Sequence, residues 1–270
     1  MRFDNTTWGL IIGGSSGFGL AAAQKLARHG KNICIVHRDR KGAMKKIEPL
    51  FNAIRATGVT LIAINTDALS IEGRITVLDA MQNKLGPMAK IRMVLHSVAF
   101  GNLKLLVPCH DPEGIYNHQQ FLEKDDFSRT IQAMGSNLVE WVQDIHQRQL
   151  FADDARVLSL TSEGNKIAWK GYAAVSAAKA VIESVSRAIA VEFAPYGIRS
   201  NVIQAGVCDT AALQAIPGNQ KIKANAMERN PFRRLTTPED VANFIFLLCL
   251  DESSWVNGSM LCVDGGESIG

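Results

Sequence analysis

The segment Gly13-Gly14-Ser15-Ser16-Gly17-Phe18-Gly19 places three glycines, Gly13, Gly17 and Gly19, in a G-x3-G-x-G spacing. It stands between a short apolar run and the helix-forming residues Ala21-Ala22-Ala23. A pyrophosphate bound at a helix N-terminus must approach backbone N–H groups closely, and side chains would obstruct it. Glycines at this spacing, between a first strand and a first helix, therefore predict a dinucleotide loop contributed by Gly13, Ser15, Ser16, Gly17, Phe18 and Gly19. The same residues also read as G-x-S-x-G through Gly13, Ser15 and Gly17, the nucleophile elbow of a hydrolase with Ser15 attacking. An elbow normally has several strands before it and has no need of Gly19, so the context favours the dinucleotide.

The next informative position is the end of the second apolar run, Val36-His37-Arg38-Asp39-Arg40-Lys41. An acidic side chain there suits the 2′-hydroxyl of NAD, whereas arginine suits the 2′-phosphate of NADP. Arg38 and Arg40 offer forked, charge-assisted hydrogen bonds to such a phosphate, and the expected cofactor is NADPH with Arg38 as its leading contact. Asp39 dissents, and the competing reading is a solvated charge cluster opening the next helix. Asp67, just past the third apolar run, is a further candidate for holding the adenine. Farther on, Tyr172-Ala-Ala-Val-Ser-Ala-Ala-Lys179 sets a tyrosine and a lysine seven residues apart. Seven residues are close to two helical turns, so the two share a face, with the lysine ~5 Å farther along the axis than at i+4.

These residues need a scaffold, and the pattern of the chain supplies one. Strand-like runs are expected at 8–12, 33–36, 61–65, 93–95, 156–160, 200–203 and 260–263, mostly separated by stretches long enough for a crossover helix. That rhythm predicts an α/β, doubly wound Rossmann-type fold: a seven-stranded parallel sheet with helices on both faces, formed by one domain over residues 1–270. Two long segments, 101–126 and 207–235, each follow a strand and are the natural walls of a substrate crevice, because open parallel sheets bind ligands beyond the carboxyl ends of their strands. The other reading of both is irregular surface loop.

Composition narrows the remaining choices. With 47% hydrophobic and 20% charged residues in 270, the chain can bury a sizeable core. The longest apolar runs, such as 244–250, are too short for a membrane span. The net charge of +3 is weak and its Lys and Arg residues are dispersed, which argues against nucleic acid. Cys34, Cys109, Cys208, Cys249 and Cys262 are scattered singly, with neither disulfide nor metal-ligand spacing. A cytoplasmic protein with no metal is expected.

Taken together, the glycine loop, the Tyr/Lys pair and the ending Val263-Asp264-Gly265-Gly266 resemble the short-chain dehydrogenase/reductase family over essentially the whole length. That family's usual tyrosine has a lysine four residues on. Here the residues four beyond Tyr116, Tyr172 and Tyr196 are Gln120, Ser176 and Ser200. The Tyr-x6-Lys spacing instead is similar to that of the enoyl-acyl-carrier-protein reductases of the family. Two further matches point the same way: His96-Ser97-Val98-Ala99-Phe100 after the fourth strand, and Ser162 ten residues before Tyr172, where the alcohol dehydrogenases have thirteen. There are departures. A serine stands at 162 where many enoyl reductases have a second tyrosine, and the glycine loop is conventional; both are features of the NADPH-dependent branch. Gln204-Ala205-Gly206 replaces Pro-Gly after the sixth strand, and Gly135 stands at or near the family's catalytic asparagine.

The resemblance implies conjugate reduction of a trans-2-enoyl thioester on acyl-carrier protein or coenzyme A, by a homotetramer with the 172–193 helix in an interface. It assigns Tyr172, assisted by Ser162, to the thioester oxygen, and Lys179 to the cofactor ribose and to favouring charge at the tyrosine oxygen. His96, Ser97, Gly206 and Thr210 would touch the cofactor, while Phe100, Trp169, Leu213 and Ile216 would touch substrate. Leu103, Leu105, Leu106, Ile167, Met227 and Phe232 are further candidates for the acyl pocket, and Glu163 reads as a solvated loop charge. The rivals are a 3-ketoacyl or other carbonyl reductase of the same fold, and a catalytically silent dinucleotide-binding protein. The length of segment 207–235, with Gly206 and Gly218, suggests a lid.

Overall fold

A strand buried on both faces reads as an unbroken apolar run, and β1 (Thr7–Ile12) is such a strand, with Trp8, Leu10, Ile11 and Ile12 all buried. The computed structural model describes residues 3, 6–85, 90–108, 114–116 and 120–270. Around β1 are ranged β2 (Asn32–His37), β3 (Leu61–Asn65), β4 (Lys90–His96), β5 (Phe151–Thr161), β6 (Ile198–Ala205) and β7 (Met260–Val263). The sheet order is β3-β2-β1-β4-β5-β6-β7, and each neighbouring pair is parallel. Seven expected strands are present; β4, β5 and β6 run longer than their apolar centres, because paired backbone extends over polar residues such as His96, Thr161 and Gln204.

The helices are α1 (Gly17–Arg28), α2 (Met44–Arg55), α3 (Ile71–Leu85), α4 (Lys124–Ile131), α5 (Asn137–Gln147), α6 (Ala173–Glu192), α7 (Ala211–Gln214), α8 (Asn219–Arg229) and α9 (Pro238–Leu248). On one face α1, α2 and α9 bury Leu26, Phe51 and Ile245 against Ile11, Ile35, Leu95 and Ile203. On the other, α3, α5 and α6 bury Met81, Trp141 and Ile182 against Leu10, Val36, Val94 and Val157. No helix among the described residues is long and apolar enough to cross a membrane. Segment 207–235 is no irregular loop: it folds into α7 and α8, and the Thr210 hydroxyl caps α7 by accepting from Leu213 N at 3.3 Å. Part of segment 101–126, with Cys109, lies outside the described residues; within the rest, Leu105 forms a parallel bridge with Phe121.

Successive strands run outward in opposite directions from β1 and β4, so the crevice expected of this topology lies beyond the carboxyl ends of those two strands. Two glycines set its floor. Gly13 has φ +88°, and a Cβ there would lie 2.5 Å from Ser97 O; a Cβ on Gly19 would lie 2.2 Å from Gly13 O. The first brings the β1 and β4 ends together, and the second lets α1 start directly on the loop. Gly19→Ala tests this packing. Alanine gains about 1 kcal/mol of helix propensity, whereas forcing backbone apart costs about 1–3 kcal/mol. The denaturation midpoint should therefore fall; a rise would contradict the close approach as the reason for Gly19.

Candidate active site

Three neighbouring groups of residues line one cleft at the switch point: the loop after β1, the ends of β2 and β4, and the segments after β5 and β6. At its floor, Ser16 is the extended N-cap residue of α1, with no side-chain cap and no acidic residue in the first turn. The helix start thus leaves backbone N–H groups available to an anion, on a loop whose close backbone packing requires glycine at 13 and 19. The residues present fit a dinucleotide pyrophosphate. Gly13, Ser15, Ser16, Gly17, Phe18, Ser97, Gly206 and Thr210 all line the cleft. Gly19 is instead the packing contact just described.

At the β2 end, Arg38 lines the cleft, half exposed, with Nη1 donating to Asp67 Oδ2 at 2.7 Å and its guanidinium 5.5 Å from the Phe100 ring centroid. Asp39, the dissenting acid, is turned away. Its carboxylate meets Nδ1 of buried His37 at 2.9 Å, and its backbone is clamped by Asn65 through bonds of 3.1 and 2.9 Å. The charges facing the cleft there are therefore Arg38 and Asp67, held as an ion pair across the sheet edge, while Asp39 is outside the lining. Arg40 is exposed and outside the lining. Phe100, expected beside substrate, lies against Arg38 and so belongs to the other end of the cleft.

The tyrosine and lysine come together as the spacing requires, with one difference: α6 begins at Ala173, and Tyr172 is its N-cap residue. Tyr172 and Lys179 both line the cleft and are both about nine-tenths buried. Lys179 Nζ donates to Leu160 O at the end of β5, at 2.8 Å. Burial lowers the ammonium pKa to about 8, with Glu183 one turn on opposing the fall. Burial raises the Tyr172 phenol; Ser162 is close enough to oppose that rise, yet its buried Oγ completes no hydrogen bond. Backbone of Gly164 lies on the tyrosine ring, where a Cβ would come within 2.4 Å of Cε1, and the Trp169 ring sits 5.1 Å away. The phenol is thus held in place by contact on more than one side.

His96 does not reach the cleft. It is buried behind it, where burial and Lys179 push its imidazole down to about 3, with Asn137 opposing. His96 Nε2, Asn137 Oδ1 and Ser159 Oγ are buried without partners in this layer. Gly135 sits in a π-helical turn, Gln132–Ser136, where a Cβ would meet Ala178 O at 3.0 Å; the missing side chain lets α6 pack onto the turn beside Lys179.

The far end of the cleft is apolar. Leu103, Met134, Trp169, Leu213 and Ile216 line it around Tyr172. Leu105 is core, and Leu106, Ile167, Met227 and Phe232 are exposed outside the lining, so these five are not part of the pocket wall. Glu163, expected as a solvated charge, is instead largely buried, and both its oxygens accept from Arg229 at 2.7 Å. Glu267 and Asp264 also line the cleft. These acids had no local pattern to mark them, apart from the Asp264-Gly265-Gly266 turn that carries Glu267 inward.

Residues 13–268 match the family described as Enoyl-(Acyl carrier protein) reductase. Over 267 residues, 96% of this chain and 86% of the other, the chain is 28% identical to a 1-cyclohexenylcarbonyl-CoA reductase of Streptomyces collinus. It is 26% identical to an enoyl-[acyl-carrier-protein] reductase [NADH] of Rhizobium meliloti, covering 97% of this chain and 91% of that one. The fold matches the enoyl-[acyl-carrier-protein] reductase (NADH) of Aquifex aeolicus with a TM-score of 0.81 at 22% identity, covering 98% and 97% of the two chains. With its glycine cradle, Tyr-x6-Lys pair and sheet order, this chain belongs to the Enoyl-(Acyl carrier protein) reductase family of the short-chain dehydrogenases/reductases.

Proposed function

We propose that the protein reduces the carbon–carbon double bond of a trans-2-enoyl thioester, carried on acyl-carrier protein or coenzyme A, with NADPH as cofactor. The observation that carries this reading is the placing of Tyr172 and Lys179 in one cleft, between a glycine cradle and an apolar end. The cofactor, when bound, supplies hydride to the β-carbon. The rest is the work of the chain.

Negative charge then develops on the thioester oxygen as an enolate, and the saturated thioester forms when the α-carbon takes up a proton from solvent. A phenol whose pKa is raised by burial keeps its proton at neutral pH, so Tyr172 meets that oxygen as a donor. Ser162, with an uncommitted Oγ beside it, is the second donor. Lys179 stays mostly an ammonium at neutral pH, since about 8 lies roughly one unit higher. Spending one N–H on Leu160 O leaves it others for the ribose hydroxyls, and its charge favours negative charge at the Tyr172–substrate contact. Leu103, Met134, Leu213 and Ile216 exclude water around the reacting carbons and suit an aliphatic acyl group. The preference for NADPH over NADH rests on Arg38, whose guanidinium lines the cleft while Asp39 is committed to His37.

Two experiments follow. NADPH oxidation should proceed with crotonyl thioester and not with acetoacetyl thioester, and Tyr172→Phe should lower the crotonyl rate by about 100-fold or more, the size of a lost oxyanion donor. Turnover of the ketone alone would overturn the reading in favour of carbonyl reduction. Arg38→Gln removes one charge-assisted contact, about 1.5–3 kcal/mol, so the KM for NADPH should rise by about 10–100-fold while that for NADH stays the same. Equal changes for both cofactors would show that Arg38 does not meet the 2′-phosphate.

A further inference from the structure

Three separate segments converge on one guanidinium at the edge of the cleft. Arg229, the last residue of α8, donates from Nη1 and Nη2 to the two oxygens of Glu163, both at 2.7 Å, and from Nη2 to Glu267 Oε1 at 3.3 Å. Glu163 opens the short turn Glu163–Asn165 after β5, whose N-cap is Ser162. Glu267 opens the turn Glu267–Ile269 near the C-terminus, and its other oxygen accepts from Val207 N at 3.0 Å, just after the cofactor-side Gly206. A Cβ on Gly206 would lie 2.8 Å from that oxygen, so the carboxylate rests on the bare loop.

The turn that carries Ser162 is also held by α6. Glu183 of α6 accepts from Thr161 Oγ1 at 2.6 Å and from Asn165 Nδ2. Ser162 is therefore flanked by two hydrogen bonds to Glu183 of α6 and by the ion pair of Glu163 with Arg229 of α8, while Gly164 lies on the Tyr172 ring. A bidentate arginine–carboxylate pair fixes direction as well as distance, because the planar fork matches both oxygens at once. The side chains of Glu163 and Glu267 are 14% and 3% exposed and that of Arg229 is 32% exposed, so solvent screens the cluster only from the arginine's side. Without the guanidinium, Glu163 and Glu267 would face each other as like charges near Asp264.

We propose that Arg229 is a positioning residue for the reduction proposed above. Through Glu163 it sets the Ser162 hydroxyl against the thioester oxygen, and through Glu267 it ties the α7–α8 segment over the apolar end of the cleft. Placing Ser162 and closing α7–α8 are then one event. The proposal depends on the thioester-reductase reading for its kinetic effect, but the mechanical coupling has its own readout.

The test uses the full-length protein and Arg229→Gln, Glu163→Gln and their double variant, with Arg229→Lys as a milder change that keeps the charge. With crotonyl thioester, each single variant should lose kcat by about 10–100-fold, the scale of a misplaced donor, with the KM for NADPH within about twofold of the original. The double variant should be no worse than Arg229→Gln alone, since Glu163 then has no guanidinium left to lose. Hydrogen exchange of the NADPH-free protein should show 162–167 and 207–235 exchanging faster together in both variants, and less so in Arg229→Lys. Unchanged kcat in Arg229→Gln, additive losses in the double variant, or faster exchange in only one segment would overturn the proposal. If the original protein reduces no thioester yet the two segments still loosen together, the functional reading fails and the coupling stands.

Discussion

An ammonium taken out of water must find acceptors, and Lys179 finds the carbonyl of Leu160 at the end of β5. That bond fixes α6 against the sheet at the point where strand gives way to loop. Everything in the cleft is measured from it. Two turns back along α6 stands Tyr172; one turn on stands Glu183, which opposes the fall in the Lys179 pKa and holds Thr161 and Asn165 on either side of Ser162. The π-helical turn at Gly135 belongs to the same constraint, since a side chain there would push α6 away.

The spacing of seven rather than four between tyrosine and lysine gains meaning in this setting. It places the phenol at the very start of α6, under the Gly164 backbone and beside Trp169, and leaves the lysine deeper between helix and sheet. The phenol lies in the apolar end of the cleft, while the ammonium is bonded at the end of β5. Because burial raises the phenol, Tyr172 keeps its proton at neutral pH.

How much of this was legible in the sequence follows from how local each signal is. The glycine loop, the seven strands and the Tyr/Lys pair depend on spacing within one or two elements, and their outlines were readable. Strand ends were not, because backbone pairing carried β4–β6 past their apolar centres. The role of Asp39 turned on His37 and Asn65, the second a strand away, and that of Phe100 on Arg38. His96 sits behind the cleft because the β-strand alternation points it toward α5, where Asn137 opposes the fall in its pKa. Glu163, Arg229 and Glu267 come from three distant segments, and nothing in their neighbours announces that they meet. Within 207–235, the capped helix α7 and the helix α8 hide in what reads as a Gly- and Pro-bearing loop.

Reduction of the double bond, as proposed, differs from carbonyl reduction in where hydride lands: on the β-carbon rather than on the carbonyl carbon. Its most direct test is to turn over crotonyl thioester with NADPH carrying deuterium at the transferable nicotinamide position, and to locate the label in the product by mass spectrometry and NMR. The expected product is a saturated butyryl thioester with deuterium on the β-carbon. An allylic alcohol or aldehyde product labelled at the former carbonyl carbon, or no label transferred at all, would contradict double-bond reduction.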